Sequence, residues 1–263
     1  MNSILNRLAH FWRWLTSRRR RRQAHESSLS DIIETHLHEE ELRRESMALI
    51  AGDPELFRRL HMIQKAMTLI FGYTIDHKSR SEDETTMQLL GIRLFNAAAS
   101  SIKLALSGYY QTAFQQARDI METGYLLDYF RTAPEQRKVW KHSDRKTRRE
   151  VFGPVKIRIA LDQRDNDTTG KREAEYRKLS ELASHATFRG FRFTVRGEFG
   201  ELGPFVEKAN LVAWLEELVL RLGLSAVMYA NQFPDADPKL IRFFREFGTA
   251  LIEQFGAPSK PPH

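Results

Sequence analysis

The sequence predicts an all-α protein: a multi-helix bundle with one small extended or hairpin insert near residues 190–203. Three observations predict it. Apolar residues recur at three- and four-residue intervals along most of the 263-residue chain, the period of a single buried helix face. Asp-Pro pairs, serines followed by acids, and isolated glycines cut that pattern into helix-length segments. Strict alternation occurs once, in "GFRFTVRGEFGELGPF", where Phe191, Phe193 and Val195 interleave with Arg192, Thr194 and Arg196 as they would in a ribbon. About seven to nine helices follow from this punctuation. The expected organisation is an amphipathic, Arg-rich segment over 1–23, one helical domain over 24–257 and a disordered tail over 258–263.

In chain order, "SILNRLAHFWRWLTS" places Ile4, Leu5, Leu8, Phe11, Trp12 and Leu15 on one side of a helix and Asn6, Arg7, His10 and Arg13 on the other. The run Arg18, Arg19, Arg20, Arg21, Arg22 follows. Ser30 opens a helix to about Ile50. "GDP" then supplies a stop, a cap at Asp53 and Pro54 at the first helical position, with Leu56, Leu60, Ile63, Met67 and Ile70 at core spacing up to Gly72. Ser81 and three acids start the next helix, which buries Leu90, Leu94, Ala98 and Ile102. Gly108 separates it from "YYQTAFQQARDIMETGYLLDYF", and so short a connection favours an antiparallel pair. Pro134 starts a short helix through Trp140, and the helical stretch after it breaks at Gly153-Pro154. "RDNDTTG" is a polar loop, "EYRKLSELASHATFRGF" a helix and its end. A long helix follows Pro204, and Asp237-Pro238 caps the last one, through Phe255.

Charge divides the chain sharply. The net charge is +7, and residues 1–23 hold seven arginines and no acid. Removing those seven from 41 basic residues leaves 34, against 34 acidic residues. A balanced body has no general attraction for polyphosphate, so the basic character belongs to the leader. Aromatics at headgroup depth with arginines beyond them suit an anionic bilayer surface; Phe11, Trp12, Trp14 and Arg18 to Arg22 are the expected contacts. Nucleic-acid binding through the arginine run and a targeting segment are the alternatives. No stretch is read as spanning a membrane, since the best, Leu211 to Ala230, carries Glu216, Glu217 and Arg221.

Several chemistries are excluded. The absence of cysteine removes disulfides, thiol nucleophiles and Cys-ligated zinc. Neither a G-x-G-x-x-G nor a G-x-S-x-G motif occurs, "TTGKRE" lacks the flanks of a phosphate loop, and no Glu-x-x-His supports a di-iron bundle. His36 and Glu40 sit one turn apart without a second ligand pair, which reads as a solvated face. No metal and no cofactor are expected.

Two stretches carry candidate chemistry. Arg118, Glu122, Tyr125 and Tyr129 form one stripe beside the apolar face of Phe114, Ala117 and Met121, either an internal ion pair locking two helices or the lining of a polar pocket. In "EYRKLSELASHATFRGF", Tyr176, Arg177, Ser180 and His185 crowd a helix end. A regular continuation points His185 away from Ser180, whereas a stop near Ser184 turns it toward Arg118 and Glu122. The catalytic candidates are therefore His185, Arg118 and Glu122, and the binding candidates Tyr125, Tyr176, Arg177 and Ser180.

"ARDIMETGYLLDYF" together with "YRKLSELASHATFRG" resembles an uncharacterised family of bacterial all-helical proteins that couples an Arg-x-x-x-Glu helix to a Tyr-x-x-Leu-Ser segment ending in His. The likeness covers about residues 85–232 by helical pattern and falls on Arg118, Glu122, Tyr176, Ser180 and His185, with Ala186 where the family often has proline. A more distant likeness is to HEPN domains, bundles that include metal-independent ribonucleases of toxin and phage-defence systems with an Arg-x4-6-His signature. Seven residues separate Arg177 from His185, one too many, while Arg137 and His142 fit that spacing as chance also provides. The expected function is a helical interaction protein attached peripherally to the inner face of the membrane in the cytoplasm. A HEPN-like ribonuclease and a non-specific nucleic-acid binder are the alternatives, with a homodimer and an unidentified protein partner admitted.

Overall fold

A computed structural model describes residues 29–184 and 186–255. The expectations for residues 1–23, for His185 and for 258–263 lie outside the described residues. The rest is a helical bundle: α1 (Leu29–Ala51), α2 (Pro54–Phe71), α3 (Glu82–Leu106), α4 (Tyr110–Thr132), α5 (Gln136–His142), α6 (Arg145–Val151), α7 (Pro154–Asp165), α8 (Lys171–Leu179), α9 (Lys208–Ala230) and α10 (Pro238–Phe255). Strands β1 (Val195–Arg196) and β2 (Phe199–Gly200) pair antiparallel as a minimal hairpin.

The local signals act as the sequence suggests. Asp53 accepts from the amides of Glu55 and Leu56, with Pro54 behind it, satisfying two donors that a helix start leaves unpaired. Ser81 accepts from Glu84 N at 3.1 Å, and Glu82, Asp83 and Glu84 meet the positive end of α3. Gly108, at φ +85°, makes the turn between α3 and α4. Asp237 accepts from Lys239 N at 2.8 Å ahead of α10.

Helix α9 is the centre, packed against α4, α2 and α3, and α4 in turn meets α3 and α7. Trp214, Leu215, Leu218, Leu222, Ala226 and Tyr229 are fully buried along it. Its polar groups are satisfied across the helix seams: Trp214 Nε1 donates to Ser101 Oγ at 3.0 Å, and Ser225 Oγ donates to the Ile120 carbonyl at 3.0 Å.

Several boundaries differ from the sequence reading. Gly72 does not stop its helix; it is helical (φ −57°) and opens a wide π turn, Gly72–Asp76. A Cβ there would meet Leu240 Cδ2 at 2.8 Å, so the glycine serves the approach of α10. The long helix starts at Lys208, not at Pro204, because Phe205 and Val206 are buried as an extended plug and Glu207 N donates to Tyr110 OH at 3.3 Å. Gly190–Thr194 is a 3₁₀ turn where a ribbon was expected; it inserts Phe193 against Phe114, ring centroids 4.8 Å apart. The first described helix begins at Leu29, which places Ser30 inside it. Among the described residues, the helix long and apolar enough to cross a membrane by length and composition is α3, with 44% of that window buried in the bundle; it is not the 211–230 stretch.

Candidate functional site

Helix α4 presents Arg118, Glu122 and Tyr125 on successive turns, as the 3.6-residue period requires. Arg118 Nη2 donates to Tyr176 OH at 2.5 Å and stands 3.0 Å from Glu122 Oε1. The guanidinium carbon lies 4.9 Å from the Tyr176 ring centroid, within cation–π range. So Arg118, Glu122 and Tyr176 do come together.

A second cation, Arg158 on α7, completes the group. It is buried, lies 5.4 Å from the same ring, and finds its acid, Glu173, only at 3.8 Å. Sequence reading passed over Arg158. Its one signal is a charge three residues before the buried Leu161, on the face that Ile157 and Leu161 bury.

Three atoms of the stripe, Arg118 Nε, Glu122 Oε1 and Tyr125 OH, are buried without a hydrogen-bond partner among the described residues. The Arg118–Glu122 contact thus has the distance of an ion pair without hydrogen-bond alignment. Burial is the strongest influence on Glu122 and pushes its carboxyl above the ordinary range; the Arg118 charge and the Tyr176 hydroxyl oppose it and do not cancel it. Burial likewise pushes the Tyr125 phenol up to about 12. Unpaired buried polar atoms are uncommon in folded proteins and mark either trapped water or a ligand position.

The helix carrying Tyr176 is held in an unusual way. Of its nine residues α8 buries Leu179 alone, and it docks by charge. Arg172 reaches Asp162 (2.7 Å) and Asp165, Glu175 reaches Arg221 (2.6 Å), and Lys178 reaches Glu217 (2.7 Å). Arg221 and Glu217, on α9, are themselves paired at 2.7 Å and almost fully buried. Burial pushes the Glu217 carboxyl up, but Arg221 and Lys178 outweigh it and hold it below the usual range.

After Leu179 the chain widens into a second π turn, Ser180–Ser184. Ser180 Oγ donates to the Tyr176 carbonyl at 2.8 Å, a back-bond that loosens the regular ladder, and Gln115 Nε2 supports the turn by donating to the Ala183 carbonyl at 2.8 Å. The Ser180 hydroxyl is therefore committed to its own backbone. Arg177 is exposed on the outer side of α8 and does not join the cluster. His185, next after the turn, lies outside the described residues. Arg137, of the chance Arg–His pair, donates to Gln232 Oε1 at 2.7 Å, while His142 is exposed.

Chemically the cluster offers two guanidiniums, two phenols and a carboxyl whose proton burial holds more tightly than usual. Its guanidiniums can hold an oxyanion; with water in the gaps, the cluster locks α8 to α4. Among the described residues no group of three or more acidic or histidine side chains is placed to hold a metal ion. A separate cleft of about 550 Å³ between Arg59, Lys178, Arg192 and Glu216 does not include the cluster, and Arg59 and Lys178 there are tied to acids.

What fold and site define together is an all-helical protein with a half-buried Arg–Glu–Tyr cluster beside a π turn. No family model matches the chain, nor does any curated protein or solved structure. The family resemblance rests on the quoted residues alone.

Proposed function

We propose that the chain is a helical interaction protein held at an anionic membrane surface by residues 1–23. The observation that carries this reading is the partition of charge. The seven arginines of residues 1–23 equal the whole net charge of +7, and the remainder has as many acids as bases. Support comes from the way the body spends its own charges: Arg164 on Asp128, Arg172 on Asp162 and Arg221 on Glu217. Cations engaged at such distances have little left for a polyanion.

Flotation of the full chain with phosphatidylserine-containing vesicles tests the reading. Each arginine near such a surface contributes about 1 kcal/mol, so replacing Arg18 to Arg22 together by Gln removes about 5 kcal/mol, a loss of roughly three to four orders of magnitude in partitioning. Equal flotation of both forms rejects the membrane reading.

A second reading, a HEPN-like metal-independent ribonuclease, is favoured by one observation: the three buried atoms of Arg118, Glu122 and Tyr125 that lack a hydrogen-bond partner among the described residues lie on the helix facing the turn that leads to His185. It requires RNA cleavage in chelator that disappears in His185→Ala. Cleavage that survives the substitution excludes it, and RNA binding that merely weakens steeply with salt points to the arginine run alone.

A further inference from the structure

We propose that α5 and α6 form a second membrane-contacting face, a basic arm of the folded body that lies against anionic phospholipid headgroups, a proposal that rests on the membrane reading above and extends it from residues 1–23 to the bundle. Residues 136–156 hold eight basic side chains and two acids, Asp144 and Glu150. Taking these from the 34 basic and 34 acidic residues that follow position 23 leaves 26 basic and 32 acidic. The balanced body is therefore divided within itself, +6 in this stretch and −6 in the remainder.

The arm is clamped without being packed. Neither α5 nor α6 has a buried residue. Trp140 on α5 and Phe152, just after α6, meet the same ring, Phe130 of α4, with centroids 5.7 and 6.3 Å away. Arg137 donates to Gln232 Oε1 at 2.7 Å, and Lys141 pairs with Glu82. Helix α6 is thus fixed at its two ends and bare between them, an arrangement that burial of apolar surface does not account for.

What α6 presents is charge. By the 100-degree rule Arg148, Arg145, Arg149 and Lys146 follow one another around an arc of about 160° with no acid inside it, and Glu150 stands about 40° beyond Lys146. Thr147, the half-buried residue of this helix, stands opposite the middle of the arc. Asp144 lies ahead of the helix and is occupied as its cap, accepting from Thr147 N at 2.7 Å. Lys138, Arg145, Lys146, Arg148, Arg149 and Lys156 are all exposed, and none of them is ion-paired among the described residues. Arg148 donates to the Ser143 carbonyl at 2.9 Å, which leaves its charge uncompensated. The pairing that occupies Arg164, Arg172 and Arg221 stops at this arm.

Two features favour lipid over nucleic acid. Val139, Val151, Val155 and Ile159, between 42% and 46% exposed, are interspersed with the cations along α5, α6 and α7. Aliphatic groups gain from burial at the headgroup boundary while the cations meet phosphate. Bases instead need exposed rings to stack on, and the rings of this stretch, Trp140 and Phe152, are spent on Phe130.

Lipid titration of the full chain with phosphatidylserine-containing vesicles tests the face. Each cation near such a surface is worth roughly a fivefold gain in partitioning, so Arg145→Gln, Arg148→Gln and Arg149→Gln together should weaken binding roughly 150-fold. Lys at the same three positions keeps the charge and should bind as wild type does, and circular dichroism checks the fold of both variants. Removing equal charge from exposed positions of α10, by Lys239→Gln, Arg242→Gln and Arg245→Gln, should cost far less. A Gln variant of α6 that partitions like wild type overturns the proposal. So does a Lys variant as weak as the Gln one, or an α10 variant weakened equally, which would make net charge the cause. Unchanged partitioning with lost binding of a labelled single-stranded RNA also overturns it and assigns the arm to nucleic acid. The variant lacking Arg18 to Arg22 is titrated alongside: if it alone loses binding, the leader reading stands and the arm falls, and if the α6 variant alone does, the reverse holds. A wild type that does not bind rejects both.

Discussion

Replacing Arg221 by methionine tests whether charge, and not apolar packing, holds α8 in place. Arg221 and Glu217 expose only 4% and 6% of their side chains. The substitution leaves the Glu217 carboxylate buried, with Lys178, itself 56% exposed, as its remaining partner. Glu175, 27% exposed, loses its partner as well. Breaking a buried pair in this way costs about 3–5 kcal/mol, a fall of roughly 10 °C in Tm for a chain of this size. The control is Arg221→Met combined with Glu217→Leu, which removes both buried charges while Glu175 and Lys178 turn to water; it should recover all but about 1.5 kcal/mol. Urea denaturation followed by circular dichroism gives the free energies. Hydrogen exchange should show α8 amides opening first in the single variant, because Leu179 is the sole residue of that helix buried in the core. A single variant within 1 kcal/mol of wild type, or a double variant no better than the single, refutes the reasoning.

Glu122→Gln reads the raised carboxyl. The folded protein keeps the Glu122 proton to higher pH than the unfolded chain does, so the wild type binds more protons when folded and loses stability as pH rises through the window above 4.5. Stability measured for wild type minus Glu122→Gln should fall across that window and then level off; a flat or rising difference contradicts the assignment. Gly91→Ala should cost about 2–4 kcal/mol in the same denaturation assay. The new Cβ would stand 2.3 Å from Tyr229 OH and displace the 2.8 Å hydrogen bond to Thr74, so a variant as stable as wild type would mean that α9 shifts freely.

The helices that bury an apolar stripe were legible, and so was the stripe on α4, because both follow from the 3.6-residue period. Asp53, Ser81 and Asp237 mark helix starts because capping is local chemistry, settled within three residues. Helix α8 was hard to place for the opposite reason. Its partners lie 46 residues away for Glu175 and 39 for Lys178, and nothing in a surface-like run such as "KREAEYRKL" distinguishes a solvated charge from one aimed at a buried Arg221. The same blindness hid Arg158. A guanidinium on a helix face normally reaches water along its stem; here it is buried against a phenol ring that itself depends on α8 being docked. The site thus depends on docked charge: Arg221 and Glu217 on α9 and Asp162 and Asp165 on α7 hold α8, and α8 brings Tyr176 to Arg118 and Arg158. Arg221 reaches Glu175 across 46 residues and Arg118 reaches Tyr176 across 58, so the residue types were visible in the sequence while their convergence required the fold.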